Sequence, residues 1–441
     1  MKQNRLAVAS WCMYDFANSP FTTLVVTFIF SPFFLTAIVG DDVRGTELWS
    51  RAITITAISV AFLSPILGAI ADRGGCRKLF LLFWTGLAIF GTAKLFWVLP
   101  GDFDDSGAMI RSGQIGMAIF WVVVANIAYE MGCVFYNAFL PDIASSDRIG
   151  RISGYGWAAG YLGGLLALTV ALFGFVFPER PWFGVSKEAY EHIRATNLLV
   201  AVWFAVFSIP IFLWVQENRM NCVQGRGNVL RSSFRQLAGT FHEIKRYRQI
   251  IKLLLARLFY NDGLITIFTF SGIYATGTFK FTTTEILVLA IALNIAAGLG
   301  AFAMGFLDDV IGGKRTIQIS VVGLAVAAAL AMIAPGKSWI WIAGILAGIF
   351  SGPNQSASRS LMARFVPPQK ENEFFGFFAF SGKATAFFGP FLFGVLTAWF
   401  QTQRAGIFIV VVFFVIGGVI LHFVDEEDGF RLAKLDRSIS Q

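Results

Sequence analysis

Four ionisable side chains stand inside long apolar runs of this chain. Asp15 falls in SWCMYDFANSPF, with Asn18 and Pro20 just behind it. Glu130 lies near the middle of a second run, and Arg359 and Lys383 lie in two more. A charge at the centre of a membrane helix costs roughly 2.5–3.5 kcal/mol, so each must meet water, a partner charge or a cargo. Asp15 could bind a substrate ammonium, carry a proton, close a gate near one end of its span, or sit in a fixed ion pair beside Asn18 and Pro20. Glu130 is deeper. It could carry a proton or grip a solute, or form a permanent salt bridge with Lys94 or Arg257. The planar fork of Arg359 suits a carboxylate or phosphate, with snorkelling toward the span end as its plainer role. Lys383, in SGKAT, offers a point charge among small residues.

Other polar residues gather with these four. Trp11, Asp15, Asn18 and Thr22 follow at steps of four, three and four and share a helix face, and Asn126, Glu130, Cys133 and Asn137 form a second stripe. Arg257, Tyr260, Asn261 and Asp262 cluster in a third segment, and Asn354, Gln355, Ser358 and Arg359 in a fourth. Of the charges singled out within the spans, Asp15 and Glu130 lie in the first half and Arg257, Arg359 and Lys383 in the second, a distribution that suits a zwitterion such as an amino acid or short peptide. The three histidines, His192, His242 and His422, lie outside the apolar runs or at their ends. If protons drive this molecule, carboxylates must carry them.

The elements that hold these residues are membrane helices. The chain is 56% hydrophobic and only 14% charged, whereas a soluble domain carries about 25% charged residues. The apolar runs are continuous and about 20 residues long, enough to cross a ~30 Å hydrocarbon core, which excludes an alternating β-barrel. Twelve spans are expected, over 8–39, 47–70, 79–100, 113–139, 153–177, 195–216, 249–277, 284–306, 316–335, 338–363, 374–400 and 404–424. The first follows Lys2 and Arg5, is too long for a signal peptide and lacks a small-residue cleavage site. Most of the 35 Lys and Arg residues fall on the side of the termini, which makes that side cytoplasmic by the positive-inside pattern. Topology thus accounts for the net charge of +8 without nucleic acid. The domains expected are a six-helix bundle over 1–216, a basic amphipathic linker over 217–248 lying on the anionic leaflet, and a second bundle over 249–441 with a short cytoplasmic tail.

The halves echo each other. GAIADRGGCRK, Gly68 to Lys78, follows span two, and GFLDDVIGGKR, Gly305 to Arg315, follows span eight. Asp72 aligns with Asp309, and Arg77-Lys78 with Lys314-Arg315. Duplication with pseudo-two-fold packing around a central site follows. These connections resemble those of the major facilitator superfamily, apart from Cys76 and Val310, which stand where basic residues are usual. WCMYDFANSPF and SRSLMARFVPPQKENEFFGFFAFSGKATAFFGP resemble the branch of the autophagy-linked vacuolar amino-acid effluxers and their bacterial relatives. The resemblance implies an all-α integral membrane fold of two six-helix bundles, with spans one, four, seven and ten lining the cavity. It also implies that Asp72, Arg73, Arg77 and Asp309 lock the inner ends of the halves, by ion pairs and by a carboxylate at a helix N-terminus.

Glycines at four-residue spacing in span five (Gly156, Gly160, Gly164), and Gly376, Gly382, Gly389 and Gly394 in span eleven, permit close helix approach or hinging. Span five only partly resembles the antiporter glycine motif, and antiport does not follow from it. The function expected is secondary active transport of a small polar, zwitterionic solute by alternating access, as efflux coupled to protons. An anionic or amphiphilic metabolite is the alternative cargo, and a lipid-modifying membrane enzyme the non-transport alternative. No phosphate-binding GxxxxGK[ST] loop, catalytic set, metal site or CxxC pair is present in the sequence, so a proton gradient is the only cofactor expected. The expected partners are the solute and membrane lipids, with the protein a monomer in a bacterial inner membrane or, failing that, a vacuolar one.

Overall fold

The computed structural model describes residues 4–74, 76–103, 109–111, 113–217, 239 and 246–440. The spans are α1 (Arg5–Val39), α2 (Asp42–Gly74), α3 (Arg77–Trp97), α4 (Ile115–Ile143), α5 (Ile149–Val176) and α6 (Glu191–Trp214), then α7 (Arg248–Phe279), α8 (Thr283–Ile311), α9 (Gly313–Ile333) and α10 (Lys337–Phe365). Span eleven is two helices, α11 (Glu371–Lys383) and α12 (Phe388–Phe400), and α13 (Gln403–His422) closes the twelve. Among the described residues ten spans are long and apolar enough to cross a membrane by that measure alone. The other two, α7 and α10, are 32 and 29 residues long. They fall short because they carry the polar clusters.

Three features go beyond the expected layout. The short tail forms a helix, α14 (Glu426–Ser440). Its Glu426 accepts from the first backbone N–H groups of α9, Asp428 pairs with Arg248 at the start of α7, and Phe430 packs on Phe365 at the end of α10. Span eleven is not one rod, because it breaks over 384–387. Pro390 has no N–H for the Ala386 carbonyl, so helical bonding cannot run through. Between α3 and α4 lies a small antiparallel pair, β1 (Asp102–Phe103) and β2 (Met109–Arg111). The basic linker expected over 217–248 falls largely outside the described residues.

Local chemistry explains the element ends. The Asn4 side chain caps α1 by accepting from Leu6 N at 3.1 Å, and Thr282 with Glu285 forms a capping box for α8. Within α1, Pro20 leaves the Phe16 carbonyl without its helical donor, and Trp203 Nε1 of α6 supplies one at 3.2 Å. Beyond Pro20 the turns widen to π-type over Phe21–Phe28 and Phe34–Val39.

Each bundle packs internally, α1 on α5 and α6 in the first and α7 on α13 in the second, and the bundles meet through α2 with α11 and α5 with α8. Glycine makes those crossings possible. A Cβ on Gly68 would collide with the Asn372 carbonyl, and one on Gly376 with Ser64, whose Oγ donates to the Gly376 carbonyl at 2.9 Å. The hydrogen bonds and ion pairs joining the bundles lie between mid-span and the side that bears the termini. That side is shut.

Candidate functional site

Asp15 and Arg359 meet across the bundle interface. Arg359 Nη1 donates to Asp15 Oδ2 at 2.9 Å and to Asn137 Oδ1 at 3.2 Å. Nη2 donates to the Ser153 carbonyl at 2.7 Å and Nε to Ser153 Oγ at 2.9 Å. The guanidinium carbon stands 4.6 Å from the Trp11 ring centroid, with Tyr136 and Trp157 close by. All three guanidinium nitrogens are used, and the side chains are only 4% (Arg359) and 14% (Asp15) exposed. Room for the pair comes from Gly156, where a Cβ would lie 2.6 Å from Asp15 Oδ2 and 2.8 Å from Arg359 Nη2. The α5 glycines therefore serve close approach here.

Glu130 has a partner other than those expected of it. Lys383 Nζ donates to Glu130 Oε1 at 2.7 Å, so neither Lys94 nor Arg257 fills that role. Lys94 instead stands over the Phe90 and Trp97 rings at 5.1 and 5.4 Å. The pair is 19% (Glu130) and 30% (Lys383) exposed, and Lys383 is the last residue of α11, at the edge of the break. In both pairs the acid comes from the first bundle and the base from the second.

Arg257, Tyr260, Asn261 and Asp262 on α7 face span eleven and α10. Arg257 Nη1 donates to the Phe378 carbonyl at 3.1 Å and to Ser381 Oγ at 3.3 Å, and its guanidinium lies 3.8 Å from the Phe378 ring centroid. Its Nε has no partner, and no carboxylate pairs with it among the described residues. The Tyr260 hydroxyl bonds Ser358 Oγ at 2.8 Å, and Asn261 Nδ2 donates to the Gly382 carbonyl at 3.1 Å. Asp262 is buried without a cation. Asn18, Asn126 and Asn354 are buried and Gln355 half-buried, and the Nδ2 groups of Asn18 and Asn354 have no partner.

The connections after spans two and eight reach into the opposite bundle. Asp72 Oδ1 accepts from Asn372 N at 3.1 Å and Nδ2 at 2.6 Å, and Oδ2 accepts from Glu373 N at 2.8 Å, capping α11. Arg77 reaches Asp142 at 2.7 Å and Glu371 at 3.2 Å. Asp309 repeats the device, accepting from Gly150 N at 2.8 Å and Arg151 Nε at 2.5 Å to cap α5. Both carboxylates occupy positive helix ends. Arg73 is half-buried in the last turn of α2.

Several residues of this network were not singled out from the sequence. Asp308 binds Arg364 at 2.6 Å and also accepts from Ser360. Glu371, Asn372 and Glu373 lie in the PQKENEFFG stretch already tied to the family, and the DD of GFLDDVIGGKR carried a hint that both acids are used. Nothing in the spacing of Ser153 pointed to Arg359.

The family model described as "Vacuole effluxer Atg22 like" matches residues 43–434. The uncharacterized MFS-type transporter YxiO of Bacillus subtilis is 29% identical over 421 residues, covering 95% of this chain and 94% of that one. Autophagy-related protein 22 of Kluyveromyces lactis is 23% identical, covering 74% and 70%. Among solved structures, the proton:xylose symporter XylE superposes with a TM-score of 0.74 at 13% identity, covering 99% and 98%. The human organic anion transporter MFSD10 gives 0.67 at 14% identity, covering 96% and 100%. These two fix the fold as that of the major facilitator superfamily.

Proposed function

Because the chain belongs to the Atg22-like vacuole effluxer family, and is thus a multi-pass membrane transporter and not an enzyme, we propose that it exports a small zwitterion by alternating access. The cargo is an amino acid or short peptide, moved against its gradient at the expense of a proton gradient. The observation that carries this reading is the Glu130–Lys383 pair, 2.7 Å apart, partly exposed and contributed one charge by each bundle. A zwitterion can replace it end for end, its ammonium on Glu130 and its carboxylate on Lys383. Neither protein charge is then left bare, whereas parting the two without a substitute leaves both uncompensated.

The gates fit the same cycle. Asp72, Arg77, Asp309 and their partners hold the termini side shut, and solute binding shifts the population toward the state in which they part. With the termini in the cytoplasm the closed side is the inner one. A bacterial plasma membrane is the site of action favoured by the Bacillus subtilis relative, and a vacuolar membrane the second choice.

A thermal-shift screen of the purified protein at two pH values tests the cargo. Zwitterionic amino acids and dipeptides should stabilise it, by about 2.7 kcal/mol at 100 times Kd, and Glu130→Gln or Lys383→Gln should remove the effect. Stabilisation by organic anions alone, unchanged in Glu130→Gln, would sink the reading. Arg257, buried without a carboxylate, favours that anionic cargo as the second reading.

A further inference from the structure

Asp262, like Arg257 on the same helix, is left out of the ion pairs above. Its side chain is 2% exposed, Oδ1 accepts no hydrogen bond, and no Lys, Arg or His pairs with it among the described residues. It faces Thr385, inside the break of span eleven, and Thr385 Oγ1 also lacks a partner of hydrogen-bonding geometry. The two glycines flanking the break bring it close to α7. Gly382 lies where a Cβ would come within 2.5 Å of Arg257 Nη1, and Gly389 where one would come within 3.1 Å of the Asp262 carbonyl.

Among the described residues the surroundings offer no compensating charge. On α7 itself, Arg257 is turned to the Phe378 ring and carbonyl, and Tyr260 to Ser358. On α11, Lys383 is engaged by Glu130, and on α10, Arg359 by Asp15. Helix α12 has no ionisable residue, and α13 has none between Arg404 and His422. A bare carboxylate in such a place is costly, and the cheapest remedy is a proton. The break supplies a polar neighbour, Thr385, and an interruption in the helix.

We propose that Asp262 is a proton-carrying residue of the second bundle, loaded from water and unloaded to water at the break in span eleven. The inference rests on the transport reading above and gives its proton a place apart from Glu130. In each cycle the carboxylate oxygen accepts one proton from hydronium, leaving water, and returns it to water on the other side. Glu130 and Lys383 stay free to trade their mutual contact for a solute.

The test needs no solute. Protein reconstituted in liposomes on a solid-supported membrane is given pH jumps, and infrared difference spectra are recorded between high and low pH. The wild type should give a pH-jump charge transient and a protonated-carboxyl carbonyl band. Asp262→Asn should lose both, Glu130→Gln should keep both, and Asp262→Glu should keep both with a moved midpoint. Persistence of the band in a folded Asp262→Asn protein would overturn the proposal. So would its loss in Glu130→Gln, or a sodium-jump transient that vanishes in Asp262→Asn while the pH-jump transient survives. If Asp262→Asn fails to fold, Asp262→Glu decides, and an unmoved midpoint counts against the proposal. Failure here leaves the zwitterion reading standing, and failure of the thermal-shift screen leaves this one standing.

Discussion

The two ion pairs that cross the bundle interface differ in how tightly they are held. Arg359 is bound to Asp15, Asn137 and both oxygens of Ser153, and aromatic rings close around it. Lys383 donates to one oxygen of Glu130, beside a broken helix, and both side chains are partly open. An interaction meant to persist is surrounded until nothing else can reach it. One meant to be exchanged is left accessible and singly bonded. By that measure Asp15–Arg359 has the form of a fastening, and Glu130–Lys383 is the pair that the proposed cargo would open.

The largest effect expected is at the fastening. Arg359→Met leaves Asp15 buried and unpaired and should cost about 3–5 kcal/mol of stability, read as the denaturation midpoint of the purified protein. A loss no greater than that of Glu130→Gln would erase the distinction between the pairs. Gly156→Ala comes next. Its methyl must push Asp15 and Arg359 apart, and overpacking of this kind costs about 1–3 kcal/mol. Solute-induced stabilisation should survive that change, because the α5 methyl touches neither Glu130 nor Lys383. The smallest loss of stability belongs to Glu130→Gln, about 1 kcal/mol or less, as for partly solvated pairs. A double-mutant cycle over Glu130 and Lys383 measures it, and a coupling as large as that of Asp15 with Arg359 would contradict the assignment.

Most of the architecture was legible from the sequence because a membrane restricts the choices. Backbone groups in oil must bond within their own helix, so a run such as Ile407–Leu421 can be little else. The repeated connections disclosed the two bundles, and the polar stripes marked the faces that meet. Which charge meets which was not legible. Asp15 and Arg359 are 344 residues apart, and only the folded arrangement decides that Lys383, not Lys94, reaches Glu130. The interruption of span eleven was hidden because its residues are as apolar as a continuous helix, even though Pro390 and the glycines were in plain sight. The tail helix was missed for the opposite reason. Its sequence EEDGFRLAKLDRSIS is polar, and its docking depends on partners far away, such as Phe365 and Arg248.

The break also has a mechanical meaning. Helix α11 leans on α2 of the opposite bundle, while α12 leans on α13 of its own. Span eleven is therefore shared between two bodies, like a shaft with a universal joint. When the bodies tilt, neither piece has to bend, and residues 384–387 take up the angle.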